Sequence, residues 1–119
     1  MKIVITGGAG FLGARLARAL LAQGHFSVNG AAAQPIEQLL LVDRAQPAPD
    51  LLADARVKPL VGDLNDLLVE GPQGAPAIPS GTDVVYHLAA AVSGECEADF
   101  DLGMRSNLAA TEALLAACR

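Results

Sequence analysis

The sequence predicts an α/β fold built on a doubly wound parallel sheet, and three observations carry the prediction. Short, almost wholly apolar runs recur at residues 2–6, 39–43, 57–61 and 82–88, a texture that suits strands buried on both faces. Helix-like stretches and loops separate these runs, and strands alternating with helices form a parallel sheet through right-handed crossovers. The first run passes directly into a glycine cluster, Gly7-Gly8-Ala9-Gly10-Phe11-Leu12-Gly13, and from there into a helix.

Taken in order, Lys2 to Thr6 is the first strand, β-branched and apolar. Ala14 to Gln23 reads as a helix with Leu12, Leu16, Ala19 and Leu20 on one stripe, stopped by Gly24 in the left-handed C′ position. His25 to Pro35 reads as a loop with a turn at Asn29-Gly30. Leu39 to Asp43 is the second strand, Leu51-Leu52 a single helical turn and Val57 to Val61 the third strand. Pro59 lacks a ladder donor, which places that strand at or near a sheet edge. Gly62-Asp63-Leu64 closes it, and a brief helix is expected over 65–69. Residues 70–81 hold three prolines and three glycines and read as a surface connection. Thr82 to Leu88 is the fourth strand, followed by Ala89-Ala90-Ala91. From about Glu95 the chain turns helical, with Leu108, Thr111, Leu114, Leu115 and Cys118 as its apolar stripe. The glycine turn after the first strand and right-handed crossovers give the order 3-2-1-4, the beginning of a Rossmann-type sheet.

Composition narrows the function classes. A chain of 119 residues with 52% apolar and 18% charged residues is one globular domain at most. Aromatics make up only 3%, so the core must be aliphatic. A net charge of −5 without a basic face speaks against nucleic acid as the partner. Cys96 and Cys118 have neither metal-site spacing nor a redox-pair pattern, as for thiols in a reducing compartment. No signal-peptide pattern and no apolar stretch long enough to span a bilayer are present, so no membrane partner and a cytoplasmic location are expected.

The glycine cluster fits two spacings, Gly8-x-Gly10-x-x-Gly13 and Gly7-x-x-Gly10-x-x-Gly13. In either, an early glycine allows a tight turn, Gly10 lets a pyrophosphate approach the backbone, and Gly13 lets the helix pack against the strand. The helix N-terminus then offers amides and a partial positive charge to phosphate. Asp43 ends the second strand, where a carboxylate accepts hydrogen bonds from both adenosine ribose hydroxyls and repels a 2′-phosphate. That favours NAD over NADP. Arg44 follows directly and leaves NADP open, since an arginine there can hold the 2′-phosphate. Asp63 suits either the adenine edge or a helix N-cap, and the two roles are compatible. His87 lies within a strand pattern and reads as a sheet-face histidine rather than a catalytic one. Ser93, Glu95, Glu97 and Asp99 form a polar patch past the fourth strand. Ligands bind at that end of open α/β sheets, and acids also favour a helix start.

With these residues in hand, the chain resembles the extended short-chain dehydrogenase/reductase family, the NAD-dependent epimerase/dehydratase group. The resemblance rests on Thr6 to Gly13, Val42-Asp43, Gly62-Asp63-Leu64, His87-Leu88-Ala89-Ala90, and Asn107 to Thr111 ahead of Leu114-Leu115. The stretches Val92 to Glu95 and Ala98 to Arg105 are similar to a subgroup of sugar-acid enzymes, the D-erythronate dehydrogenases. The resemblance implies that Gly7, Gly10, Phe11 and Leu12 face the pyrophosphate and Asp43 the ribose. Asp63 and Leu64 would sit against adenine. Leu88, Ala89 and Ala90 would follow the cofactor toward nicotinamide, with Ser106 and Asn107 beneath it. Ser93 and Glu95 would touch a sugar or sugar-acid substrate. It implies a homodimer through helices, the last one here included. It also implies chemistry by a Tyr-x-x-x-Lys pair, with tyrosine as acid/base. The single tyrosine, Tyr86, has Ala90 where the lysine would stand. No catalytic residue is therefore assigned, and residues 1–119 are expected to be the cofactor-binding part of a longer dehydrogenase, epimerase or dehydratase. A non-catalytic module that binds or senses NAD(P) is the alternative.

Overall fold

The computed structural model describes residues 1–119. In chain order the elements are β1 (Lys2–Thr6), α1 (Phe11–Gln23), β2 (His25–Phe26), β3 (Gln34–Pro35), β4 (Gln38–Asp43), α2 (Pro49–Leu52), β5 (Val57–Val61) and α3 (Leu64–Leu67). They continue with β6 (Gly74–Ala75), β7 (Ile78–Pro79), β8 (Val84–His87), α4 (Ser93–Ala98), α5 (Phe100–Gly103), a π-helical stretch (Met104–Ala109) and α6 (Ala110–Ala117). The main sheet is parallel, in the order β5-β4-β1-β8. This is the 3-2-1-4 arrangement expected for the four apolar runs, with the Pro59 strand at the edge.

Strand alternation divides the core between the two faces of the sheet. Ile3 and Ile5 of β1 and Leu39 and Leu41 of β4 pack with Ala17 and Leu20 of α1 and Leu51 of α2. Val4, Leu40 and Val42 face the other way, onto Leu68, Ala77, Ile78 and Leu114 of α6. Each of these side chains is more than nine-tenths buried. The core is thus aliphatic, and helices cover both faces.

Several elements differ from the sequence expectation. Helix α1 begins at Phe11, and its buried stripe is Gly13, Ala17 and Leu20. Leu12 is 66% exposed and Ala19 is exposed as well. The reason is a close approach: a Cβ at Gly13 would lie 2.1 Å from the Gly7 carbonyl oxygen. The helix therefore turns its smallest residues, not its largest, toward the turn. Residues 25–35 hold a short antiparallel ladder, β2 with β3, around the left-handed Asn29-Gly30 pair. Residues 70–81 are not merely a surface connection. They contain the β6–β7 hairpin, whose Ala75, Ala77 and Ile78 are buried, and the Ala77 N–H donates to the Leu67 carbonyl at 2.9 Å.

The C-terminal helical region is also more broken than a single helix. Asp99 ends α4 and caps α5, accepting the Leu102 N–H at 3.0 Å. The π-helical stretch then rotates the following residues, so the buried positions of α6 are Ala110 and Leu114. Leu108, Leu115 and Cys118, expected on the apolar stripe, are exposed.

Gly13→Ala is expected to destabilise the fold by about 3 kcal/mol, because its methyl meets backbone that has no room to shift. Gly94→Ala, whose Cβ would have nothing within 4 Å, is expected to change stability by less than about 1 kcal/mol. Urea unfolding of the two variants checks both outcomes.

Candidate functional site

The site begins at the turn between β1 and α1. Gly7 takes φ +73°, and its N–H donates to the Val42 carbonyl at 2.7 Å. A Cβ there would lie 2.9 Å from the Ala89 nitrogen, so the turn and the chain after β8 touch backbone to backbone. Gly8 is closed in by Leu41, whose Cβ would lie 2.8 Å away. Only the Gly7 oxygen, at 3.3 Å, approaches a Cβ on Gly10. Gly10 caps α1 without any side-chain hydrogen bond. The first-turn amides of this 13-residue helix thus have no side-chain acceptor, which is the arrangement that receives an anion. Gly10, Phe11 and Leu12 are all exposed.

A cleft of about 230 Å³ opens at the carboxyl ends of β1, β4, β5 and β8. Gly7, Asp43, Arg44, Asp63 and Leu64 line one side. Ala89, Ala90, Glu95 and Ser106 line the other, with Leu102 and Ala110. Gly10, Phe11, Leu12, Leu88, Ser93 and Asn107 are outside its lining. The cleft lies where strand order reverses, between β1 and β8, the position at which open α/β sheets take ligands.

Asp43 joins the turn to the end of β4. Its Oδ2 accepts the Ala9 N–H at 3.0 Å, and its Oδ1 accepts the Arg44 and Ala45 N–H groups at 2.7 and 3.3 Å. Asp63 caps α3 through Oδ1, which accepts the Asn65 N–H at 2.9 Å. Its Oδ2 accepts from Arg44 at 2.9 Å and from Arg105 at 3.2 Å. The Asn65 N–H is the largest cause holding the Asp63 carboxyl below the usual carboxylate range. Burial opposes it, and the Asn65 side chain, Arg44 and Arg105 reinforce it. The helix-cap reading of Asp63 holds, and the same residue lines the cleft.

The far wall hangs on Thr6, the buried polar residue at the end of β1. Its Oγ1 pairs with His87 Nδ1 at 2.7 Å and accepts the Leu88 and Ala89 N–H groups at 3.1 and 3.2 Å. His87 Nε2 pairs with the Thr111 hydroxyl at 3.2 Å. His87 is therefore a joint between β1 and α6, as its place within a strand suggested. Tyr86 packs edge-on against Phe26, ring centroids 6.4 Å apart. Asn107 holds the chain after β8 by both ends of its amide: Oδ1 accepts the Ala91 N–H at 2.8 Å, and Nδ2 donates to the Ala91 carbonyl at 3.0 Å. Glu95 reaches back to accept the Val92 N–H at 3.0 Å at the start of α4. Ser93 is exposed on the first turn of that helix. Thr6 and Arg105 are site-building residues that the sequence reading did not single out. Thr6 carried one signal, its place directly before the glycine pair; Arg105 carried only its place at the end of the Ala98 to Arg105 stretch.

The chain matches the NAD dependent epimerase/dehydratase family over residues 3–119. It is 52% identical to a D-erythronate dehydrogenase of Cupriavidus necator and 41% identical to one of Haemophilus influenzae, in each case across the whole chain. It spans 35% and 34% of the lengths of these two relatives. Among solved structures, a nucleoside-diphosphate-sugar epimerase of Agrobacterium tumefaciens superposes with a TM-score of 0.75 at 37% identity, over 100% of this chain and 32% of that one. A dTDP-glucose 4,6-dehydratase double mutant of Streptomyces venezuelae, solved with NAD bound, gives 0.75 at 26% identity, over 98% of this chain and 35% of its own.

Burial holds His87 below its ordinary pKa of 6.5. The unfolded chain then takes up a proton that the folded chain refuses. Stability is full above that value and falls as pH drops through it toward the folded pKa. His87→Gln is expected to flatten the fall of Tm between about pH 7 and about pH 5, read by thermal unfolding beside the wild-type protein.

Proposed function

The chain belongs to the NAD dependent epimerase/dehydratase family, and we propose that residues 1–119 are the NAD(P)-binding unit of an oxidoreductase that acts on a sugar or sugar acid. The observation that carries this reading is the convergence of Gly7, Asp43 and Asp63, from the ends of three parallel strands, on one cleft where strand order reverses. The uncapped α1 N-terminus beside it fits a pyrophosphate, and a Cβ at Gly10 would enter that approach.

In this reading Gly7, Gly10, Phe11 and Leu12 present backbone to the pyrophosphate. Asp43 accepts the adenosine ribose hydroxyls, which favours NAD, with Arg44 beside the 2′ position. Asp63 and Leu64 border adenine. Leu88, Ala89 and Ala90 guide the cofactor toward its nicotinamide end, and Ser106 and Asn107 support it from the last helix. Ser93 and Glu95 face substrate; Glu95 spends one carboxylate oxygen on the Val92 N–H and keeps the other. When bound, NAD supplies the hydride acceptor, and these residues bind and orient it. The similarity to D-erythronate dehydrogenases supports a four-carbon sugar acid as substrate of the whole enzyme. Two free thiols, Cys96 and Cys118, support a cytoplasmic location. Exposed Leu108 and Leu115 on the last helical region support a homodimer through that face.

Calorimetric titration of the chain with NAD is expected to give saturable binding, and its absence would overturn the cofactor assignment. Asp43→Asn keeps an acceptor for the Ala9 N–H but loses the charge, and is expected to weaken NAD binding about tenfold. The polypeptide encoded by the complete reading frame is expected to form NADH from NAD and D-erythronate; turnover of nucleotide sugars alone would reassign the substrate.

A further inference from the structure

Four charged groups gather beside the adenosine end assigned above. The Asp43 carboxylate is engaged by the Ala9, Arg44 and Ala45 N–H groups. The Asp63 carboxylate is shared: one oxygen caps α3, and the other accepts from two guanidinium groups, Arg44 at 2.9 Å and Arg105 at 3.2 Å. One arginine suffices to neutralise one carboxylate. The second leaves a positive charge in surplus at Asp63, which lies next to the residue that follows Asp43. The Arg44 and Arg105 side chains are 59% and 60% exposed. Each guanidinium has five N–H donors, and one of each is spent on Asp63.

We propose that Arg105 determines cofactor specificity from a distance: by neutralising Asp63 it frees Arg44 to hold a 2′-phosphate, so that the cleft takes NADP besides NAD. The proposal rests on the cofactor reading above. Asp43, Asp63, Arg44 and Arg105 together carry no net charge. Without Arg105 the set carries a net negative charge, and Arg44 must either stay on Asp63 or leave it unpaired. A ligand with a 2′-phosphate meets that deficit directly, whereas a ligand with a 2′-hydroxyl adds no charge there. Arg105 is a positioning residue in this scheme, acting on the ligand through Asp63 and Arg44.

The fold fixes Arg105 where this requires it. It sits on the π-helical stretch, whose wider turn changes which residues face the cleft. Successive residues here reach different partners: Arg105 meets Asp63, Ser106 lines the cleft and Asn107 grips Ala91. The Arg105 carbonyl also accepts from Asn65 Nδ2 at 3.4 Å, which ties the stretch to α3.

The test is the ratio of NADP to NAD dissociation constants, measured calorimetrically at one low salt concentration. The wild-type chain is expected to bind both dinucleotides. Arg105→Gln is expected to raise the ratio about tenfold, by weakening NADP binding more than NAD binding. Arg105→Lys, which keeps the charge, is expected to restore most of the wild-type ratio. In an Arg44→Gln background, adding Arg105→Gln is expected to leave the ratio unmoved. Wild-type protein that binds NAD but not NADP, an Arg105→Gln ratio equal to wild type, or equal weakening of both ligands would overturn the proposal. Failure of the wild-type chain to bind either dinucleotide would instead overturn the cofactor reading beneath it.

Discussion

The structure depends on one close approach, Gly13 against the carbonyl of Gly7. A methyl group at Gly13 would stand 2.1 Å from that oxygen, so the first turn of α1 rests directly on the backbone leaving β1. Three features meet at this contact. The helix axis is set near the sheet, and Ala17 and Leu20 become its buried face. The N-cap residue is Gly10, which has no side chain, so the first-turn amides are left for an outside acceptor. Gly7 takes a left-handed conformation against Ala89, which joins the turn to the opposite wall of the cleft.

The two walls are held by different chemistry. On the Asp43 side, carboxylates do the holding: Asp43 gathers amides from the turn and from its own strand end, and Asp63 gathers Asn65 and two arginines. On the Ala89 side the holding falls mostly to neutral groups, Thr6, His87, Thr111 and the amide of Asn107, with the Glu95 carboxylate on the Val92 N–H. The Asn107 amide satisfies both the N–H and the carbonyl of Ala91, as a neighbouring strand would.

The sheet that carries these walls is simple by comparison. Alternate residues of β1 and β4 feed two aliphatic layers, and every long parallel pairing runs through these central strands. The β6–β7 hairpin closes the layer under α6 with Ala77 and Ile78, which is why a segment rich in proline and glycine is buried. Small residues let that segment lie close to the sheet, and proline costs nothing where no ladder donor is needed.

The sequence by itself determined the four strands of the main sheet, their order and the residues at their ends. Those features are local: an apolar run of strand length, a glycine turn before a helix, a carboxylate closing a strand. Gly7, Asp43, Asp63 and Ala89 were legible for that reason, and they do meet at one cleft. What only the tertiary structure decided depends on distance across the fold. Helix faces were misjudged at Leu12 and Leu115 because periodicity shows that a stripe exists, whereas close backbone approach and a π-helical turn choose which stripe is buried. Thr6 reaches His87 from 81 residues away, and Arg105 reaches Asp63 from 42. No spacing rule connects such pairs, because β8 and the last helical region come to the cleft only once the sheet has formed.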